Sequence, residues 1–201
     1  MKTIWLAILA FLGFSSTAAR VSPTPFSPSA TRAPVASLTI PVPEFYSRIT
    51  KKTFGTYVTP QNSPVSPERF TGFHTGVDVE YSDVAAEVPV SAVYAGQIIY
   101  SGWVSGYGGL IAERIHFNNN DYVVIYGHLA PQSLIPKGMT VEAGQKIGVL
   151  GKGYSTETDG ERRHLHLAFV KGDQINFRGY AATQGELSKW ENPLTLFRQA
   201  E

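Results

Sequence analysis

His164-Leu165-His166-Leu167-Ala168-Phe169-Val170 carries the pattern of a β-strand. On an extended backbone residues i and i+2 point to one face, so His164 and His166 project together. Leu165, Leu167, Phe169 and Val170 supply the apolar alternation of a half-buried strand. The same texture recurs upstream. Val88, Val90, Val93, Ile98, Ile99, Ile111, Ile115, Val123, Val124, Ile125, Val141, Ile147 and Val149 fall in short β-branched runs. Between them lie turn signals such as Ser105-Gly106-Tyr107-Gly108-Gly109 and Asn118-Asn119-Asn120-Asp121. Short strands at this spacing predict an antiparallel all-β fold whose core is made of those residues. Helix is expected only as short pieces, within Pro131–Lys137 or Gly185–Lys189.

Four of the five histidines lie in three short segments. Besides the 164/166 pair these are His74-Thr75-Gly76-Val77-Asp78 and Tyr126-Gly127-His128-Leu129. The chain has no cysteine, so a bound zinc ion would take imidazole and carboxylate ligands. His74, Asp78 and one of His164 and His166 would make three, leaving a fourth tetrahedral position to water, the mark of a catalytic zinc. His74 and Asp78 could share a helix face by spacing, but Gly72 and Gly76 argue for an extended or loop path. The two segments then meet only if strands far apart in sequence pair. His116, in Ile115-His116-Phe117 before the asparagine turn, reads as an ordinary strand residue and carries no catalytic role.

Together these residues resemble the lysostaphin-type zinc endopeptidases, the LytM-domain family. His-x-x-x-Asp at His74 and Asp78, Tyr-x-His-Leu at Tyr126 to Leu129, and His-x-His at His164 and His166 carry the resemblance. Val88-Pro89-Val90-Ser91-Ala92, Val141-Glu142-Ala143-Gly144-Gln145-Lys146-Ile147-Gly148 and Asn192-Pro193-Leu194 agree in the same order, so the match runs from Phe54 to Phe197. The resemblance implies an antiparallel β-sandwich, or barrel-sandwich hybrid, with only short helices. It implies one zinc ion held by His74, Asp78 and His166, with His164 as general base on water at the metal. His128 would orient that water or stabilise the oxyanion. The implied substrate is a stem or cross-link peptide of bacterial peptidoglycan, and a regulatory envelope protein is a further implied partner. A neutral imidazole, with a pKa of about 6.5, suits the proton transfer.

Outside that stretch the chain reads as export machinery. Met1-Lys2-Thr3, the apolar run Ile4 to Phe14 and the small residues Ser15 to Ala19 fit a secretory signal peptide over 1–19, with an N-terminal anchor as the alternative. The run falls short of the ~20 residues that span a bilayer. Residues 20–45, with Pro23, Pro25, Pro28, Pro34, Pro41 and Pro43 among Ser, Thr and Ala, read as an extended linker. Residues 46–201 then form one monomeric domain without a membrane span, placed in the periplasm, cell envelope or medium. Without Lys2 the chain holds 16 basic and 16 acidic residues, which excludes the basic surface of a nucleic-acid binder.

Tyr81, Tyr100, Trp103, Tyr107 and Tyr154 are candidates for lining a peptide groove, although each suits a packed position as well. Ser155 to Arg163, longer and more charged than the family's compact turn, reads as a mobile loop over one end of the cleft. Two other functions compete with the hydrolase. A non-enzymatic wall-binding module that activates other hydrolases is disfavoured because all five site residues are present. A biotinyl-type carrier lacks its Met-Lys-Met lysine.

Overall fold

The computed structural model describes residues 37–198; the expected signal segment 1–19 and residues 20–36 of the expected linker lie outside them. Twelve strands follow in order: β1 (Tyr57–Val58), β2 (Gly72–His74), β3 (Val77–Glu80), β4 (Pro89–Ser91), β5 (Gly96–Val104), β6 (Gly108–Phe117), β7 (Asn120–Leu129), β8 (Thr140–Val141), β9 (Lys146–Val149), β10 (His164–Lys171), β11 (Tyr180–Ala181) and β12 (Trp190–Glu191). Every pairing between them is antiparallel. The fold is all-β.

The main sheet runs β12-β10-β7-β6-β5-β8, with β3 also paired to β10. Its spine is the β6–β7 hairpin. Asn118 and Asn119 form the two-residue loop with φ of 50° and 60°, the left-handed pair that a type I′ turn requires. β10 lies against β7 along one edge and against β3, then β12, along the other. That register sets His166 beside Asp78 on one side and opposite Gly127 on the other.

Side chains alternate between two apolar clusters. Val124, Tyr126, Leu165, Leu167 and Phe169 face a larger core that includes Val90 and Ile147 of the β4–β9 pair. Val123, Ile125, Ala168 and Val170 face a smaller one with Tyr107, Ala181 and Trp190. β10 is therefore buried on both faces rather than half-buried, because β11 and the loops around it cover the histidine side.

Helix is confined to short pieces, α1 (Gln184–Leu187), α2 (Pro193–Arg198) and two 3-10 turns. Among the described residues no helix is long and apolar enough to cross a membrane. The domain starts earlier than the expected boundary at residue 46. Leu38, Val42 and Phe45 are buried in the larger core, and Phe45 meets Phe197 at 5.1 Å between ring centroids. Prolines 41 and 43 separate those apolar residues without preventing their burial, which is why composition alone assigns them to the linker.

Candidate metal centre

His74 ends β2 in the small sheet and Asp78 sits in β3 of the main one. The chain steps between the sheets at Thr75-Gly76. A Cβ at Gly76 would lie 2.3 Å from the Leu167 carbonyl oxygen, so only glycine lets the strand pass that close to β10. The crossing brings three ligand-type atoms together. His74 Nε2 lies 3.1 Å from Asp78 Oδ1 and 3.1 Å from His166 Nδ1, and His166 Nδ1 lies 3.2 Å from Asp78 Oδ1. Bonds of 2.0–2.1 Å at tetrahedral angles imply ligand separations of about 3.3 Å, so this triangle fits a zinc ion closely. The chemistry of the set agrees: two imidazoles and a carboxylate, all buried and all presenting lone pairs to one point.

The outer contacts fix which atoms face inward. His74 Nδ1 lies 3.2 Å from the Thr53 carbonyl, a bond that places its proton there and leaves Nε2 as the lone pair. Arg162 donates from Nη2 to Asp78 Oδ2 at 2.7 Å, leaving Oδ1 for the centre. Arg162 also donates to both oxygens of Glu80. Burial alone would push the Asp78 carboxyl up, but His74, His164 and Arg162 outweigh it and hold the group well below the usual carboxylate range. His166 is pushed down, chiefly by burial, and its Nε2 is a buried atom with no hydrogen-bond partner.

His164 and His128 flank the triangle. His164 Nδ1 is bonded to the Arg162 carbonyl at 2.9 Å, so its Nε2 is the lone pair; that atom is 3.5 Å from Asp78 Oδ2. The His128 ring lies 4.2 Å from the His164 ring, centroid to centroid. Burial pushes His164 well below its ordinary value and His128 down to about 3, so both are neutral near pH 7.

His128 reaches this face through a backbone irregularity. In the β6–β7 ladder Gly109 pairs with Leu129 and Leu110 with Gly127, which leaves His128 opposite no residue. It adopts φ 66°, the left-handed region. Without this bulge the period-2 alternation would aim residue 128 with Tyr126 into the larger core. With it, Leu129 takes the core face and the imidazole turns toward His164. The conformation is held from both sides, by Gly151 donating to the His128 carbonyl and Ala130 to that of Val149.

These groups open on a cavity of about 400 Å³. Of the aromatic candidates, Tyr107 lines it, with its ring 5.3 Å from His166 and 5.5 Å from His128. Tyr81 is buried in the larger core, Tyr100 packs on Phe177, and Trp103 and Tyr154 are exposed outside the cavity. His116 sits on the surface against Asp121. Residues 155–163, expected as a mobile loop, are internally braced: Ser155 caps a 3-10 turn, Tyr154 donates to the Glu161 carbonyl, and Arg69 binds the Glu161 carboxylate.

Sequence reasoning missed Arg162, Glu80, Lys52, Tyr180 and Glu68. The first two had a signal. Glu80 is two residues after Asp78 on β3, so the two share a strand face, and Arg162 lies two residues before His164, just ahead of β10. Lys52 and Tyr180 carry no local signal.

The sequence model of peptidase family M23 matches residues 72–177. No curated protein sequence matches the chain. Among solved structures, the catalytic domain of the antimicrobial peptidase lysostaphin from Staphylococcus simulans is similar at 22% identity and a TM-score of 0.51, over 76% of this chain and 94% of that one. LytU is similar at 25% identity and a TM-score of 0.52, over 76% and 85%. The SpoIIQ–SpoIIIAH pore-forming complex shares the fold at 16% identity and a TM-score of 0.52, over 81% and 91%. With all three histidine segments and strands β2 to β10 inside the matched range, the chain belongs to peptidase family M23.

Proposed function

We propose that this protein is an exported zinc metalloendopeptidase that hydrolyses peptide bonds in bacterial peptidoglycan. One observation carries the reading. His74 Nε2, Asp78 Oδ1 and His166 Nδ1 form a triangle with edges of 3.1–3.2 Å, and two neutral imidazoles stand beside it in the same cavity. His74, Asp78 and His166 would hold the ion, which supplies an acidified water with a pKa of about 7 and polarisation of the scissile carbonyl.

The remaining work belongs to the chain. His164 Nε2, with its tautomer fixed by the Arg162 carbonyl, accepts a proton from the attacking water and returns it to the leaving amine. His128 stands beside His164 in the same cavity, neutral, with Nδ1 free of a protein partner, and orients the water. No side-chain nucleophile enters, so no acyl-enzyme forms. Export rests on the residue pattern of 1–19, and the protein acts as a monomer.

The reading is tested by incubating zinc-loaded protein with purified sacculi and identifying released muropeptides by mass spectrometry. New amino and carboxyl termini that vanish on chelation and return with zinc are expected. Protein that binds sacculi, carries zinc and releases nothing would instead favour a wall-binding module.

A further inference from the structure

A second set of buried groups adjoins the metal centre, and the hydrolytic roles above leave it without a task. Lys52 is 2% exposed, and its Nζ donates to Glu68 Oε2 at 2.5 Å and to Tyr180 Oη at 2.8 Å. Glu68 is itself fixed: Oε2 accepts from Ser63, and Oε1 accepts from the backbone N–H groups of Arg69 and Phe70. The Tyr180 ring stacks on Phe70, 5.4 Å between centroids, and lies 5.4 Å from the His74 ring. Tyr180 also pairs with His74 in the β2–β11 ladder, and both Lys52 and Tyr180 line the catalytic cavity.

The donor arithmetic settles the direction of the phenol proton. An ammonium has only hydrogens to give, so the phenol oxygen accepts from Lys52. Its own O–H must point elsewhere, and among the described residues no acceptor takes it. A fixed hydroxyl with a free proton therefore stands in the cavity wall, backed by a cation that polarises it.

We propose that Tyr180 is a catalytic residue whose hydroxyl, aimed by Lys52, donates a hydrogen bond to the scissile carbonyl oxygen as negative charge develops there. The role rests on the hydrolase reading above. A donor already held in place needs no reorganisation during the reaction, and such donors act most strongly where water is excluded.

Tyr180→Phe tests this, because it removes one oxygen and keeps both ring contacts. In the zinc-loaded protein kcat falls about 10²–10³-fold, the loss typical of one oxyanion donor. KM stays within about twofold and the bound zinc per chain is unchanged. Calorimetry with a phosphinic-acid peptide, a tetrahedral anion, gives an affinity at least about tenfold weaker for the variant. Unchanged kcat, unchanged affinity for the phosphinate, or zinc lost together with activity would each overturn the assignment. If wild-type protein cleaves nothing, the hydrolase reading fails, and the calorimetric comparison still decides whether Tyr180 donates to an anion in the cavity.

Discussion

Arg162 holds Asp78 by one oxygen only, with Nη2 2.7 Å from Oδ2, while Oδ1 faces His74 and His166. The guanidinium is buried, and its remaining contacts go to Glu80 across the adjacent register position. Arg162 and Glu80 thus sit behind the metal triangle. The arrangement stops Asp78 from turning its second oxygen inward and so keeps it a single-point ligand.

Replacing Arg162 with Gln should therefore weaken zinc binding by about 10–100-fold, the range for an outer contact that orients a ligand. Competition against a chromophoric chelator measures it. Glu80 would also lose its buried partner, which costs on the order of 3 kcal/mol of stability. Wild-type zinc affinity in folded Arg162→Gln protein would show that Asp78 orients itself.

The two histidines of β10 should separate cleanly. His166→Ala and Asp78→Ala each remove a corner of the triangle and should abolish both zinc retention and hydrolysis. His164→Ala leaves all three corners, so zinc stays while kcat drops by about 10²–10⁴-fold, the usual contribution of a general base. Metal analysis beside a turnover assay distinguishes them. Full zinc occupancy in His166→Ala protein would break the ligand assignment.

How much of this was legible beforehand depends on the kind of information involved. The period-2 pattern of Leu165, Leu167 and Phe169 and the asparagine turn at 118–119 are local, and they specify β10 and the β6–β7 hairpin correctly. Spacing alone points to His74, Asp78 and one of His164 and His166, and only the resemblance chooses His166; the structure brings ligand-type atoms of His74, Asp78 and His166 together. Three features were not legible. The bulge at His128 is a backbone event that reverses the expected face, and its sequence, Tyr-Gly-His-Leu, gives no register. The Lys52–Glu68–Tyr180 cluster joins three separate stretches that become neighbours only after β2 and β11 pair. Leu38, Val42 and Phe45 belong to the core although their surroundings have the composition of a linker.

Glu113 predicts an acid-favoured component of stability. It is fully buried in the main sheet, where Oε2 accepts from the Tyr126 hydroxyl at 2.5 Å and Oε1 has no partner. Burial pushes its carboxyl up from 4.5 to about 7, partly offset by the Tyr126 bond. Across that window the native state keeps a proton that the unfolded chain releases. Unfolding free energy therefore falls as pH rises from about 4.5 to 7, by on the order of 3 kcal/mol at most, and levels off above. Glu113→Gln cannot titrate, so its thermal midpoint should lose this part of the pH dependence. An identical slope in wild type and variant between pH 5 and 8 would assign it elsewhere.

Gly127 links the backbone to the site in a way that a paired substitution can measure. It precedes the bulged His128 and sits opposite His166 in the β7–β10 ladder. A Cβ added there would lie 2.4 Å from Tyr107 Cδ1 and 3.4 Å from the His166 Cβ. The Tyr107 ring must move, and it is the ring that contacts both His128 and His166. Gly127→Ala should thus cost roughly 1–3 kcal/mol from overpacking and reduce activity, although no reacting group is altered. If the clash with Tyr107 is the cause, trimming that ring relieves it, and Gly127→Ala should do less harm in a Tyr107→Ala background than in wild type. Residues in contact show coupling of about 0.5–3 kcal/mol in such a cycle. Strict additivity would place the damage in the β7 backbone and remove Tyr107 from the account.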